Sequence, residues 1–296
     1  MGSLRLFIPS RIFPLRCCSC GDRWMASSET TTNSVFPTPK IRSHRKLLYR
    51  EAHVIQPVKE HRATVVWLHG RGDVGSSWAD AFEDFSLQNV KMIFPTAPIQ
   101  PITALGGYNC SAWFDGRPVS DGSDDLEGLD ASAAHVAELL SQESPSVKLG
   151  VGGFSQGAAT SLYITACSLI GFYSDGTRFP CKFDFTVALS GWLPSARFIQ
   201  RRFHDSPNVI EETKDYSFFL GHGTDDTVVL YKLGEESAST LQSLGFSNLT
   251  FKSYKGLGHW SNDIEMQDVC NFIKKRISGQ PYRNATNWKS LACQII

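Results

Sequence analysis

The fold of this 296-residue chain turns on one stretch, Val151-Gly152-Gly153-Phe154-Ser155-Gln156-Gly157-Ala158-Ala159. An apolar run, Lys148–Val151, leads into it, and a small-residue helical pattern, Gly157-Ala158-Ala159-Thr160-Ser161-Leu162, leads out. A strand that turns straight into a helix leaves no room for a Cβ beside the turn, which accounts for glycine at 153 and 157. Ser155, at the apex, is then expected to hold its hydroxyl clear of the sheet. Gly153-x-Ser155-x-Gly157 alone is a weak pattern; the strand before it and the helix after it are the context that gives it weight.

Outward from this turn the chain alternates. β-rich runs at Thr64–Leu68, Met92–Phe94, Lys148–Val151, Phe185–Leu189, Tyr216–Leu220 and Leu249–Tyr254 are interleaved with helical patterns. The helices are expected at Asp124–Gln142, Gly157–Leu169, Tyr231–Leu244 and Glu265–Ile277. In the first of these, Leu126, Leu129, Ala133, Val136, Ala137 and Leu140 make one apolar face, and Asp124 with Glu127 three residues on reads as the start signal. Strand alternating with helix implies parallel strands joined by crossovers, hence an α/β fold with a mostly parallel, doubly wound sheet flanked by helices in a single domain.

A Ser hydroxyl attacks only when a neighbouring base takes its proton, and on such a sheet the partners follow in the order Ser, acid, His. Beyond residue 222 the single histidine is His259, in Gly256-Leu257-Gly258-His259-Trp260, directly after the last strand. The acid is expected in Gly221-His222-Gly223-Thr224-Asp225-Asp226, at the carboxyl end of a strand, where spacing does not separate Asp225 from Asp226. Two backbone N–H donors must meet the developing oxyanion. One belongs to Gln156; the other is expected in Leu68-His69-Gly70-Arg71-Gly72-Asp73, where glycine lets backbone approach a substrate.

Composition excludes other classes. Basic and acidic residues number 29 each and the pI is near 7, so the footprint of a nucleic-acid binder is missing. No apolar run reaches the length of a membrane span, which leaves open only peripheral contact with a membrane. The eight cysteines, Cys17, Cys18, Cys20, Cys110, Cys167, Cys181, Cys270 and Cys293, show neither disulfide nor zinc spacing. A reducing compartment, the cytoplasm, and no metal or other cofactor are expected. Residues 1–45 are rich in Arg, Ser and Pro and poor in acid. They read as a disordered extension, as sequence upstream of an alternative start at Met25, or as an organelle-targeting segment. The catalytic domain is expected over 46–277 and a tail over 278–296, where Cys293-Gln294-Ile295-Ile296 matches a prenylation signal short enough to occur by chance.

The segment Ile99–Ser123 is long for a plain connection and reads as a lid or binding surface. Its Leu105, Tyr108, Trp113 and Phe114, together with Trp192 and Leu193, are expected to line an apolar slot for an acyl chain, although Trp113 and Phe114 suit a core equally well.

Taken together, Trp67-Leu68-His69-Gly70-x-Gly72-Asp73, Pro95-Thr96-Ala97-Pro98, Ala112-Trp113-Phe114-Asp115, Gly153-Phe154-Ser155-Gln156-Gly157-Ala158-Ala159, Leu189-Ser190-Gly191-Trp192-Leu193-Pro194, His222-Gly223-x-x-Asp226 and Gly258-His259 resemble the acyl-protein thioesterase family of lysophospholipase-like carboxylesterases, its plant members most. The resemblance spans about Thr64 to Arg276. It implies an α/β-hydrolase fold, a triad of Ser155, Asp226 and His259, and backbone oxyanion donors at Arg71 and Gln156. It also implies hydrolysis of S-acyl groups on protein cysteines and of simple carboxylic esters, without a cofactor. The runner-up is a broad carboxylesterase or lysophospholipase acting on small esters or lipids. Three positions depart from the family: Arg71 where an apolar residue is usual, Thr227 where proline often follows the acid, and Trp260 where tyrosine is common in plant relatives.

Overall fold

The computed structural model describes residues 47–278 apart from 84, 119–123, 207, 208 and 210–213. The expectations for residues 1–45 and for Cys293 lie outside these residues.

Among the described residues, nine strands and six helices follow one another. They are β1 (His53–Ile55), β2 (Ala63–Leu68), α1 (Gly75–Glu83), β3 (Val90–Phe94), β4 (Ile99–Ile102), β5 (Tyr108–Ser111), α2 (Leu126–Leu140), β6 (Lys148–Phe154), α3 (Gln156–Ile170), β7 (Phe185–Leu189), α4 (Ala196–His204), β8 (Ser217–Gly223), α5 (Tyr231–Ser243), β9 (Leu249–Tyr254) and α6 (Asp263–Ile277). Seven strands form one sheet in the order β1-β3-β2-β6-β7-β8-β9. All pairings are parallel except β1 with β3.

The interior strands are apolar on both faces because helices cover both. Along β2, Val66 and Leu68 point into one core with Leu129 of α2, Leu162 of α3, Ile199 of α4 and Leu241 of α5. The alternate residues Ala63, Val65 and Trp67 point into the other, with Trp78 and Phe82 of α1 and Val269, Phe272 and Ile273 of α6. Burying one such side chain contributes about 1.5–3 kcal/mol. The α/β-hydrolase fold expected from the alternation is therefore present, and Phe185–Leu189 and Leu249–Tyr254 are strands over the expected residues.

Two local expectations are corrected. Helix α2 is capped by Asp125, whose carboxylate accepts from Gly128 N–H at 3.0 Å. Asp124 instead accepts from the Ser195 N–H and hydroxyl, tying the start of α2 to the start of α4. The segment from Ile99 is not an open loop: β4 and β5 form an antiparallel hairpin through a 3₁₀ turn at Thr103–Leu105, and Ala112–Phe114 then passes into the core.

Candidate active site

The turn between β6 and α3 takes the form its glycines require. A Cβ on Gly157 would stand 2.0 Å from the Leu68 carbonyl oxygen, and one on Gly153 would stand 2.5 Å from the same atom. Ser155 is held at φ 55°, ψ −120°, in the left-handed half of conformational space that a side chain rarely adopts. Its N–H donates to the Leu189 carbonyl at 2.8 Å, so the strained residue is anchored to β7.

His259 follows β9 on a short loop, and its ring packs against Phe154 with centroids 4.9 Å apart. Ser155 Oγ lies 2.9 Å from His259 Nε2, and His259 Nδ1 lies 2.7 Å from Asp226 Oδ2. A carboxylate can only accept, so Nδ1 carries the proton and Nε2 is left to accept from the serine hydroxyl. Asp226 Oδ1 accepts from the N–H groups of Val228 and Val229, each at 2.9 Å. Burial alone would push this carboxyl's pKa up. The donors His222, His259 and Val228 outweigh it and hold the group well below the usual carboxylate range. Asp225 turns outward, accepting from the Thr224 hydroxyl at 2.8 Å. The loops that carry the acid and the imidazole are laced together: Asp225 N–H donates to Leu257 O, Thr224 N–H to Tyr254 O, and Gly256 N–H to the Thr224 hydroxyl.

The loop after β2 runs beside the serine; a Cβ on Gly70 would stand 3.4 Å from Ser155 Cβ. His69 is fully buried, with Nδ1–H donating to Gly70 O at 2.6 Å and Nε2 accepting from Ala97 N–H at 3.0 Å. Burial lowers its pKa, and the two bonds fit the neutral ring. Because a trans peptide points its C=O and N–H in opposite directions, holding Gly70 O also fixes the direction of Arg71 N–H. The Arg71 side chain reaches away, donating to Gly116 O at 3.1 Å. Gln156 is the first residue of α3, so its N–H has no acceptor within the helix.

The six residues expected to line an acyl slot differ in burial. Trp113 and Phe114 are wholly buried and act as braces: Trp113 Nε1–H donates to His69 O at 2.8 Å, and the Gln156 side chain accepts from Trp113 N–H and donates to Phe114 O. Trp192 and Leu193 are also buried, with the Trp192 ring 6.1 Å from Phe114. They form one wall of a surface groove of about 580 Å³ whose other wall is α5, through Leu233 and Thr240. Leu105 is half-exposed and Tyr108 is 79% exposed, both on the β4–β5 hairpin. Sequence reading missed His222, a second imidazole beside Asp226, whose ring direction is set by its place on β8. Among the described residues, no three His, Cys, Asp or Glu side chains stand together as metal ligands would.

Comparison with known proteins gives the family and the fold. Residues 49–277 match the model of the phospholipase/carboxylesterase family. Acyl-protein thioesterase 1 of Debaryomyces hansenii is 32% identical over 238 residues, 74% of this chain and 94% of the relative. That of Candida albicans is 34% identical over 227 residues, 72% of this chain and 91% of the relative. The crystal structure of Zea mays acyl-protein thioesterase 2 superposes with a TM-score of 0.75 at 47% identity, covering 77% of this chain and 100% of the maize chain. With a parallel sheet that ends in a strained serine, a histidine and a buried aspartate, the chain belongs to the phospholipase/carboxylesterase family of α/β-hydrolases.

Proposed function

We propose that this hydrolase removes S-linked fatty acyl groups from protein cysteines, and cleaves simple carboxylic esters, through a triad of Ser155, His259 and Asp226. The observation that carries the reading is the unbroken hydrogen-bond chain from Ser155 Oγ to His259 to Asp226, at 2.9 and 2.7 Å. Ser155 Oγ attacks the acyl carbonyl carbon as His259 Nε2 takes its proton. The backbone N–H groups of Arg71 and Gln156 receive the oxyanion. The tetrahedral adduct collapses, His259 returns the proton to the departing thiolate or alkoxide, and water repeats the sequence on the acyl-serine. Asp226 holds the Nδ1–H tautomer and balances the imidazolium.

The thioesterase assignment draws on relatives named acyl-protein thioesterase. S-acylated proteins are the proposed partners. The cytoplasm is the proposed compartment, in keeping with free thiols at Cys110, Cys167, Cys181 and Cys270. No helix among the described residues is long and apolar enough to cross a membrane. The second reading, a carboxylesterase or lysophospholipase on small esters or lipids, uses the same triad and differs in the acyl group and leaving group it accepts.

Hydrolysis of a matched C2 to C16 acyl series, as thioesters and as oxygen esters, separates the two. Preference for long-chain thioesters is the expected result, and preference for short oxygen esters would move the function to the second reading. Ser155→Ala should remove turnover by a factor on the order of 10⁶ in either case. Activity that survives it would overturn the triad.

A further inference from the structure

Asp226 Oδ2 is shared by two imidazoles. His259 Nδ1 lies 2.7 Å away on the solvent side, and His222 Nε2 lies 3.4 Å away on the inner side. His222 is 1% exposed, and its Nε2 also lies 2.8 Å from the Val229 carbonyl oxygen. A carbonyl oxygen only accepts, so Nε2 carries a proton and donates it to Val229 O, with Asp226 Oδ2 3.4 Å from the same nitrogen. The ring has little freedom to leave this position. A Cβ on Gly234 of α5 would stand 2.4 Å from His222 Nδ1, and Tyr231 packs edge-on with ring centroids 5.8 Å apart.

We infer that His222 is a positioning residue for the triad, tempering the charge on the Asp226 oxygen that faces His259. This rests on the triad proposed above. A donor on Oδ2 draws negative charge away from the oxygen that faces His259. Without it, the carboxylate would hold a protonated His259 more tightly, and the base would stay occupied to higher pH. The orientation of Asp226 would survive, because Val228 and Val229 still hold Oδ1. Among the described residues, the other ionisable groups beside this pair include Asp225 on the same loop, Tyr231 on α5 and Glu265 on α6, whose buried carboxyl interacts with His222 through space.

The test is the pH profile of kcat/KM on a short p-nitrophenyl ester for wild type, His222→Leu, His222→Gln and Gly234→Ala, with Glu265→Gln as a control for the other buried group. His222→Leu deletes the donor. Gly234→Ala forces the ring out of its present position while keeping an imidazole at 222, and alanine suits the helix, so it serves if the leucine variant does not fold. In both, the acid limb should move up by about one pH unit, a roughly tenfold loss at pH 6 that closes above pH 8. Glutamine places an N–H close to the position of Nε2 and should bring the limb back. An acid limb that stays put in both His222→Leu and Gly234→Ala, in enzyme whose Ser155 still reacts with a phosphonate probe, overturns the inference and leaves the triad standing. Failure of the wild type to label at Ser155 would overturn the triad itself.

Discussion

Two carboxylates stand side by side after β8, and only their partners separate them. Asp226 is 4% exposed and gathers His259, His222 and two backbone N–H groups, whereas Asp225 faces solvent beside the Thr224 hydroxyl. Asp226→Asn should lower kcat by about 10⁴-fold, because the amide offers His259 the wrong hydrogen-bonding partner and so the wrong tautomer. Asp225→Asn should leave kcat close to wild type, and steady-state kinetics on one ester decides between them. At this scale Ser155 and His259 were legible in the sequence as candidates, since an elbow of glycines and a lone downstream histidine are features of order and spacing. It could not choose the aspartate without the family resemblance, and it could not disclose His222, because burial and ring direction come from β8 lying between β7 and β9.

The elbow is a joint between elements rather than a property of Ser155 alone. α3 approaches β2 so closely that a methyl group on Gly157 would meet the Leu68 carbonyl oxygen at 2.0 Å, an atom fixed in the middle of the sheet. Gly157→Ala should therefore cost about 1–3 kcal/mol in denaturant unfolding, and it should slow turnover further by tilting the helix that carries the Gln156 N–H. A second joint is the first turn of α6. Asn262 caps it, accepting from Glu265 N–H at 2.9 Å, but the Glu265 side chain turns inward, fully buried, and neither carboxyl oxygen has a hydrogen-bond partner among the described residues. Burial pushes its pKa up to about 7 from 4.5. The folded state thus holds this proton more tightly than the unfolded chain, so the protein is favoured below pH 4.5 and loses roughly 3 kcal/mol of that advantage as pH rises to 7. Relative to Glu265→Gln, wild type should lose melting temperature across that window; parallel melting curves would refute the buried charge. Long interior strands and helices were legible at this scale. The edge strand β1 was not, having only three residues and an exposed face, nor was β4, whose Pro101 reads against a strand. Helices α1 and α4 escaped because each is short, α4 burying only Ile199 and Phe203.

For the whole molecule, the cores on the two faces of the sheet draw their buried residues from Ala63 to Ile273, and the family match runs from 49 to 277. A chain trimmed to residues 47–278 is expected to keep the turnover and melting temperature of the full chain; loss of either would show that a flanking segment takes part in the fold or the site. Alternation of strand and helix made the architecture readable, whereas the packing of Trp113 and Phe114 beneath the oxyanion loop depends on contacts between segments far apart in sequence. That separation has a bearing on synthesis. β2 lies between β3 and β6, although β6 follows β2 only after β3, the hairpin and α2, and His259 comes 104 residues after Ser155. At ribosomal rates of about 5–20 residues per second, the nascent chain would carry Ser155 for roughly 5–20 seconds before His259 is made. With the proposed triad, the timetable of translation keeps the enzyme silent: a chain stalled short of residue 259 would hold Ser155 yet have nothing to take its proton.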